Sequence, residues 1–244
     1  MTPSRFIDLA AIEAMPLQAL LFDLDGTILL DEREVAGAAD LIDRYRGRCA
    51  VITNNSTDLP ETIARRLAGN GIQIPAEHIF TAGMLLVEEI VRFSQHAPVL
   101  ALISPELEAL ARARGAVLSA DEDAGMVAIA RFTRFRYTDL VMAANLVRRG
   151  AVLVASNLDT SHPTGLDGVV PETGSLVAAI QAAAGREDVI NLGKPEPAMA
   201  MQALERLGCL PDNAAVIGDN PVTDGGIARA IGAAFVPVTV GRDQ

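Results

Sequence analysis

The alternation of short apolar runs with helix-like stretches constrains this chain more than any other feature. The runs "LQALLFDL" (17–24), "CAVITNN" (49–55), "DVINLGK" (188–194), "AAVIGDN" (214–220) and "AAFVPVTV" (233–240) stay largely apolar until a polar end. A strand with one wet face would alternate, whereas runs of this kind suit a parallel sheet covered on both faces. Such a sheet needs crossover helices, and the intervening sequence carries their signals. Asp58 is placed to cap a helix that has Pro60 and Glu61 in its first turn and Gly71 as its stop. Residues 195–208 begin at Pro and end at Gly, while 222–232 reads as a weaker helix because Gly225 and Gly226 sit inside it. The expected class is therefore α/β.

The middle of the chain repeats the alternation. Strands are expected at 98–103, 125–130 and 151–156, with helices after Ser104-Pro105, over 137–149 and over 175–185. Arg148 and Arg149 stand in the last turn of the second of these, where the dipole favours cations. Residues 82–184 thus read as a second α/β domain inserted into a first one formed by 1–81 and 185–244.

Composition narrows the function. The net charge of −11 argues against nucleic acid, whose binding rests on Lys and Arg neutralising phosphates. No apolar run approaches a membrane span, and the N-terminal segment lacks a signal-peptide pattern, so a cytoplasmic protein is expected. Cys49 and Cys209 read as buried free thiols. The histidines His78, His96 and His162 lack zinc-ligand spacing.

Chemistry gathers where the outer runs end. The first ends in Asp23 and Asp25, the second in Thr53, Asn54, Asn55 and Ser56, the third in Lys194 and the fourth in Asp219, with Asp224 just beyond. In open parallel sheets ligands bind outside the carboxyl ends of the strands. Asp23, Asp25, Asp219 and Asp224 in one crevice would repel by roughly 1 to 4 kcal/mol per pair at about 4 Å, a cluster that a cation relieves. The ligands are all oxygens, which favours Mg²⁺ over zinc. Thr53 and Lys194 add a hydroxyl donor and a positive charge, a set suited to phosphate. Two residues apart in an extended segment, Asp23 and Asp25 can face one side. One carboxylate can then attack phosphorus while the other handles the proton.

These stretches, "DLDGT", "ITNNS", "GKPEP" and "GDNPVTD", resemble in order the four motifs of the haloacid dehalogenase superfamily. The large insert between the second and third is similar to the type C2 cap of its NagD-like and 4-nitrophenylphosphatase-like subgroup. The resemblance runs from about residue 17 to 240. It implies a Rossmann-like core with an inserted α/β cap, and a Mg²⁺-dependent phosphatase acting on a small phosphorylated metabolite. Sugar phosphates, nucleoside monophosphates, pyridoxal phosphate, phosphoglycolate and aryl phosphates are the substrates it suggests. Asp23 is then nucleophile and metal ligand. Asp25 is general acid/base, with its carbonyl on the metal. Thr53, the Asn54 amide and Lys194 hold the phosphoryl group. Asp219 binds Mg²⁺ and Asp224 supports that site. Relatives of this subgroup often dimerise through the cap.

The match has departures. Pro221 and Gly225 stand where relatives have bulky aliphatic residues, which would loosen the Asp224 loop. Thr57-Asp58 stands where many relatives have a basic residue. In the insert, Asn157, Asp159 and His162 lie in a polar loop able to read the leaving group. Arg131, Arg134 and Arg136 could meet an acidic substrate tail, although a solvated face is the plainer reading. The rivals are a phosphomutase, disfavoured by the large insert, and a non-catalytic phosphate-binding or regulatory protein. A receiver-like signalling domain would be half this length.

Overall fold

The computed structural model describes residues 5–240, apart from 8, 31, 120, 122 and 165–167. The chain divides into two compact units. One comprises Met1–Thr53, Pro60–Thr81 and Lys194–Gln244; the other comprises Asn54–Leu59 and Ala82–Gly193.

The first unit is built on a five-stranded parallel sheet in the order Ala234–Pro237, Ala214–Gly218, Ala19–Phe22, Cys49–Thr53, Ile79–Thr81. The chain starts in the centre, steps outward twice through Cys49–Thr53, and later returns to the opposite side. Strand order therefore reverses between Ala19–Phe22 and Ala214–Gly218. Alternate residues of the strands face opposite layers. Leu20, Phe22, Val51 and Ile217 join one core with Leu41, Ile42, Ile63 and Leu67 from the helices Ala38–Arg44 and Pro60–Gly69. Helices Ala198–Leu207 and Asp224–Ile231 pack on the strands as well. The second forms despite its glycines because they are needed for packing. A Cβ at Gly226 would lie 2.7 Å from the Pro195 Cβ.

The second unit holds a four-stranded parallel sheet in the order Ile190–Asn191, Val152–Ala155, Met126–Ile129, Val99–Leu102. Its faces are covered separately. Leu86, Ile90 and Leu107 pack with Val99, Met126 and Val154, while Ala143, Val147, Val177 and Ile180 pack with Leu100, Val127 and Leu153. Ser104 caps Pro105–Ala113 by accepting the Leu107 N–H at 3.4 Å. Beyond Val99–Leu102, Leu118 makes a parallel bridge to Val99. The four strands of this sheet lie across it in sequence order, unlike those of the first unit.

Two expectations change. The run at 188–194 does not enter the first sheet: Ile190 and Asn191 pair with Val154 and Ala155. The inserted unit therefore runs to Gly193 rather than to 184, and the fifth strand of the first sheet is Ile79–Thr81. An apolar run states that it will be buried in a sheet, not which one. Cys49 is buried, with its thiol pushed up to about 12 by that burial, but Cys209 is only partly buried.

Candidate active site

Asp23 leaves the sheet at the reversal of strand order, its N–H donating to the Ile217 carbonyl at 2.9 Å. The pairing of Phe22 with Ile217 on one side and with Val51 on the other brings three strand ends together. Asp23, Asp219 and Asp224 each place a carboxylate oxygen within 4.8 Å of the others. Lys194 lies among them, its Nζ donating to Asp23 Oδ1 at 2.5 Å and to Asp224 Oδ1 at 2.6 Å. Asp23, Lys194 and Asp224 are buried, and so is Thr53 at the end of its strand.

The electrostatics follow from burial. Desolvation pushes the Asp23 carboxyl up to about 7, with Asp224 adding to the rise and Lys194 pulling against it. For Lys194, desolvation alone would favour the neutral amine, but Asp23 and Asp224 outweigh it and hold the ammonium charged. One ammonium cannot balance three carboxylates. An all-oxygen cluster with surplus negative charge fits a hard divalent cation.

Local sequence builds the Asp224 position. Asn220 Oδ1 accepts the Val222 N–H at 2.9 Å, and Asp224 Oδ2 accepts the Asn220 N–H at 3.0 Å. Gly218 leaves the room, since a Cβ there would sit 2.2 Å from Asp224 Oδ2. Pro221 and Gly225 therefore do not leave the Asp224 carboxylate unanchored. At Gly225 a Cβ would come 3.4 Å from the Phe235 ring, so a bulky side chain has little space.

Asp25 stands at the head of a single tight turn. Ile28 and Leu29 donate to the Leu24 carbonyl at 2.9 and 3.0 Å, and Gly26 takes a φ of 88° that suits glycine. The turn leads into the hairpin Leu29–Leu30/Arg33–Glu34. Unlike Asp23, Asp25 is exposed, and Arg66 Nη2 donates to its Oδ1 at 3.2 Å.

The remaining expected residues belong to the second unit. Asn54 donates from Nδ2 to Asp159 Oδ2 at 2.9 Å, and its carbonyl accepts from Asn157 Nδ2 at 2.9 Å. Asn157 is buried, so its amide serves the Asn54 backbone. His162 Nδ1 lies 2.6 Å from Glu172 Oε1, and Arg131 Nε lies 3.4 Å from the same oxygen. Arg131 is thus not part of a freely solvated face. Arg134, by contrast, is exposed over the Phe132 ring, and Arg136 is exposed beside Asp139. Asp58 closes a turn with Asn55, whose Oδ1 accepts the Asp58 N–H at 2.9 Å. Sequence reasoning missed Arg66 and Glu172.

Comparison with known proteins identifies the family and the fold. A family model described as haloacid dehalogenase-like hydrolase matches residues 20–117, and a related one described as HAD-hydrolase-like matches 191–244. An acid sugar phosphatase of Staphylococcus saprophyticus is 33% identical over 85% of this chain and 80% of its own length. The crystal structure of a 4-nitrophenylphosphatase from Thermotoga maritima superposes with a TM-score of 0.83 at 26% identity, covering 94% of this chain and 88% of that one. A glycerol phosphate phosphatase from Mycobacterium tuberculosis, crystallised with calcium, gives 0.78 at 30% identity over 89% of this chain and 65% of that one.

Proposed function

Since this chain belongs to the haloacid dehalogenase-like hydrolases, we propose that it is a Mg²⁺-dependent phosphatase working through an aspartyl-phosphate on Asp23. The observation that carries this reading is the buried Asp23–Lys194–Asp224 arrangement, with Asp219 beside it, at the reversal of strand order. Asp23, Asp219 and Asp224, with the Asp25 carbonyl, would hold the cation. When bound, it would screen the phosphate and favour the ionised form of Asp23.

The chain's own groups then divide the work. An Asp23 oxygen forms a bond to phosphorus as the ester P–O bond breaks, and Asp25 gives its proton to the departing oxygen. In the second half Asp25 takes a proton from water, whose oxygen displaces Asp23 from phosphorus. Lys194 offsets charge on Asp23 and on the phosphoryl group. Thr53 and the Asn54 amide orient that group. In this reading the second unit would select the leaving group, with Asp159 after Val152–Ala155 and His162 in the strand Ser161–Thr164 as the candidates for that role.

The names of the relatives favour a sugar or polyol phosphate within the broader set of small phosphate esters. No observation favours a mutase. The test is inorganic phosphate release from a panel of sugar, polyol, nucleoside and aryl phosphates, with and without Mg²⁺. Release from a narrow set that requires Mg²⁺ and disappears in Asp23→Asn is the expected result. A folded chain that binds Mg²⁺ but releases nothing would overturn the reading in favour of a mutase or a binding protein.

A further inference from the structure

Arg66 has no role in the chemistry described so far, yet its surroundings are unusual for a helical arginine. It lies near the end of Pro60–Gly69, where the dipole would accept a cation pointing to solvent. Instead its side chain is only 25% exposed. It reaches Asp25 Oδ1 at 3.2 Å through Nη2 and Glu32 Oε1 at 3.5 Å through Nη1. Its Nε is fully covered and meets no acceptor among the described residues. A mostly buried guanidinium with one covered, unmatched N–H is costly to keep unless its remaining donors are well used. Both donors that are used go to carboxylates, one before a hairpin and one in its turn.

Those two carboxylates matter differently. Asp25 heads the turn after the first strand, and its side chain is 66% exposed. An exposed aspartate samples several rotamers unless something holds it. Glu32 joins the strands Leu29–Leu30 and Arg33–Glu34 and has a φ of 62°, the only left-handed non-glycine among the described residues. A glutamate tolerates that conformation poorly without compensation. Arg66 bridges both, through a planar fork that fixes direction as well as distance.

We propose that Arg66 is a positioning residue for Asp25. Its guanidinium ties the Asp25 carboxylate to the Glu32 end of the hairpin and limits the directions from which that carboxylate meets the leaving oxygen. The inference rests on the phosphatase reading, in which Asp25 protonates the departing oxygen. It needs no direct contact between Arg66 and substrate.

Leaving groups separate this role from a purely structural one. An alkoxide departs only with a proton, while 4-nitrophenolate departs largely without one. Misplacing Asp25 therefore slows alkyl esters selectively. The experiment compares kcat/KM for glycerol phosphate or a sugar phosphate with that for 4-nitrophenyl phosphate. Wild type, R66M, R66K and E32Q are each measured with Mg²⁺, after melting curves establish that they fold. For R66M the expected fall is about tenfold to a hundredfold on the alkyl ester, and no more than about threefold on the aryl ester. R66K should recover part of the loss, and E32Q should show a smaller loss of the same selectivity. Inhibition by inorganic phosphate should not change.

An equal fall on both esters, or no fall on either, overturns the proposal. If R66M does not fold, R66K and E32Q decide it by the same selectivity. A wild-type chain that releases phosphate from no ester of the whole panel, or an Asp23→Asn variant that retains release, overturns the phosphatase reading itself. The two failures are therefore distinguishable.

Discussion

The two parallel sheets are wound differently, and their carboxyl ends are used differently. In the first unit strand order reverses between Ala19–Phe22 and Ala214–Gly218, which leaves a crevice at the carboxyl ends of the strands; in the second the strands lie in sequence order. In the first unit that crevice presents Asp23, Asp219, Asp224 and Lys194. In the second unit the carboxyl ends of the strands meet the protein's own chain. Ser56, from the segment Asn54–Leu59, accepts the Arg131 N–H at 3.2 Å, and Ser104 Oγ donates to the Thr57 carbonyl at 3.0 Å. Gly83 donates to the Asn55 carbonyl at 3.1 Å, and a Cβ on it would approach the Ser56 Cα to 3.2 Å. The side chains that follow the strands decide whether a sheet's edge is reactive or structural. One rim carries three clustered carboxylates with one ammonium; at the other, Asp159, Arg131 and Glu172 are bonded within the unit.

The sharpest way to break this contrast is to remove one carboxylate from the first rim. Asp23→Asn should lower phosphate release by at least about a thousandfold, with little change in melting temperature. Asp159→Asn in the second unit keeps the size of the side chain and a possible acceptor for Asn54. Steady-state kinetics should show it raising KM by about threefold to tenfold, with a smaller effect on kcat. Comparable losses from both would mean that the two rims are not chemically distinct.

Glycine packing gives the next largest effect. Gly218→Ala forces a Cβ onto the Asp224 carboxylate, so it should abolish Mg²⁺-dependent turnover and destabilise by about 1 to 3 kcal/mol. Gly193→Ala, whose Cβ would sit 2.6 Å from the Ser156 carbonyl, should destabilise by a similar amount. Calorimetry and kinetics together would separate them, the first losing metal-dependent stabilisation and the second keeping it. Mg²⁺ itself provides a third comparison. At a hundred times its Kd it should stabilise by about 2.7 kcal/mol, and Asp219→Asn should weaken that gain. Ser56→Ala should cost only about 1 kcal/mol, by leaving the Arg131 N–H without its acceptor, and should not alter the Mg²⁺ response.

Much of the core site was legible because its residues follow apolar runs directly. A buried strand brings whatever comes next to the sheet edge, so Asp23, Thr53 and Asp219 could be placed by counting. Lys194 was found for a partly mistaken reason. The run before it pairs in the other sheet, yet the lysine still reaches Asp23 across 171 positions of sequence. Arg66 was not legible, because nothing in "IARRLAG" distinguishes an arginine that reaches Asp25 from its exposed neighbour Arg65. The segment Asn54–Leu59 looked like a helix-entry loop of the first unit, since its bonds to Ser104, Arg131 and Asn157 are long-range.

Sequence alone determined most of the sheet strands, several of the helices between them and the polar groups at the strand ends, though not Ile79–Thr81, Ala38–Arg44, Ala82–Phe93 or the hairpin Ser161–Thr164/Gly168–Pro171. What it determined depends on periodicity, capping and adjacency, which act over a few residues. Tertiary structure alone decided which sheet Ile190–Asn191 joins, that Asn157 and Asp159 hold Asn54, and that Arg66 bridges Asp25 and Glu32. Strand pairing and ion pairs of this kind depend on register and distance between segments far apart in the chain, and those are set only when the layers pack.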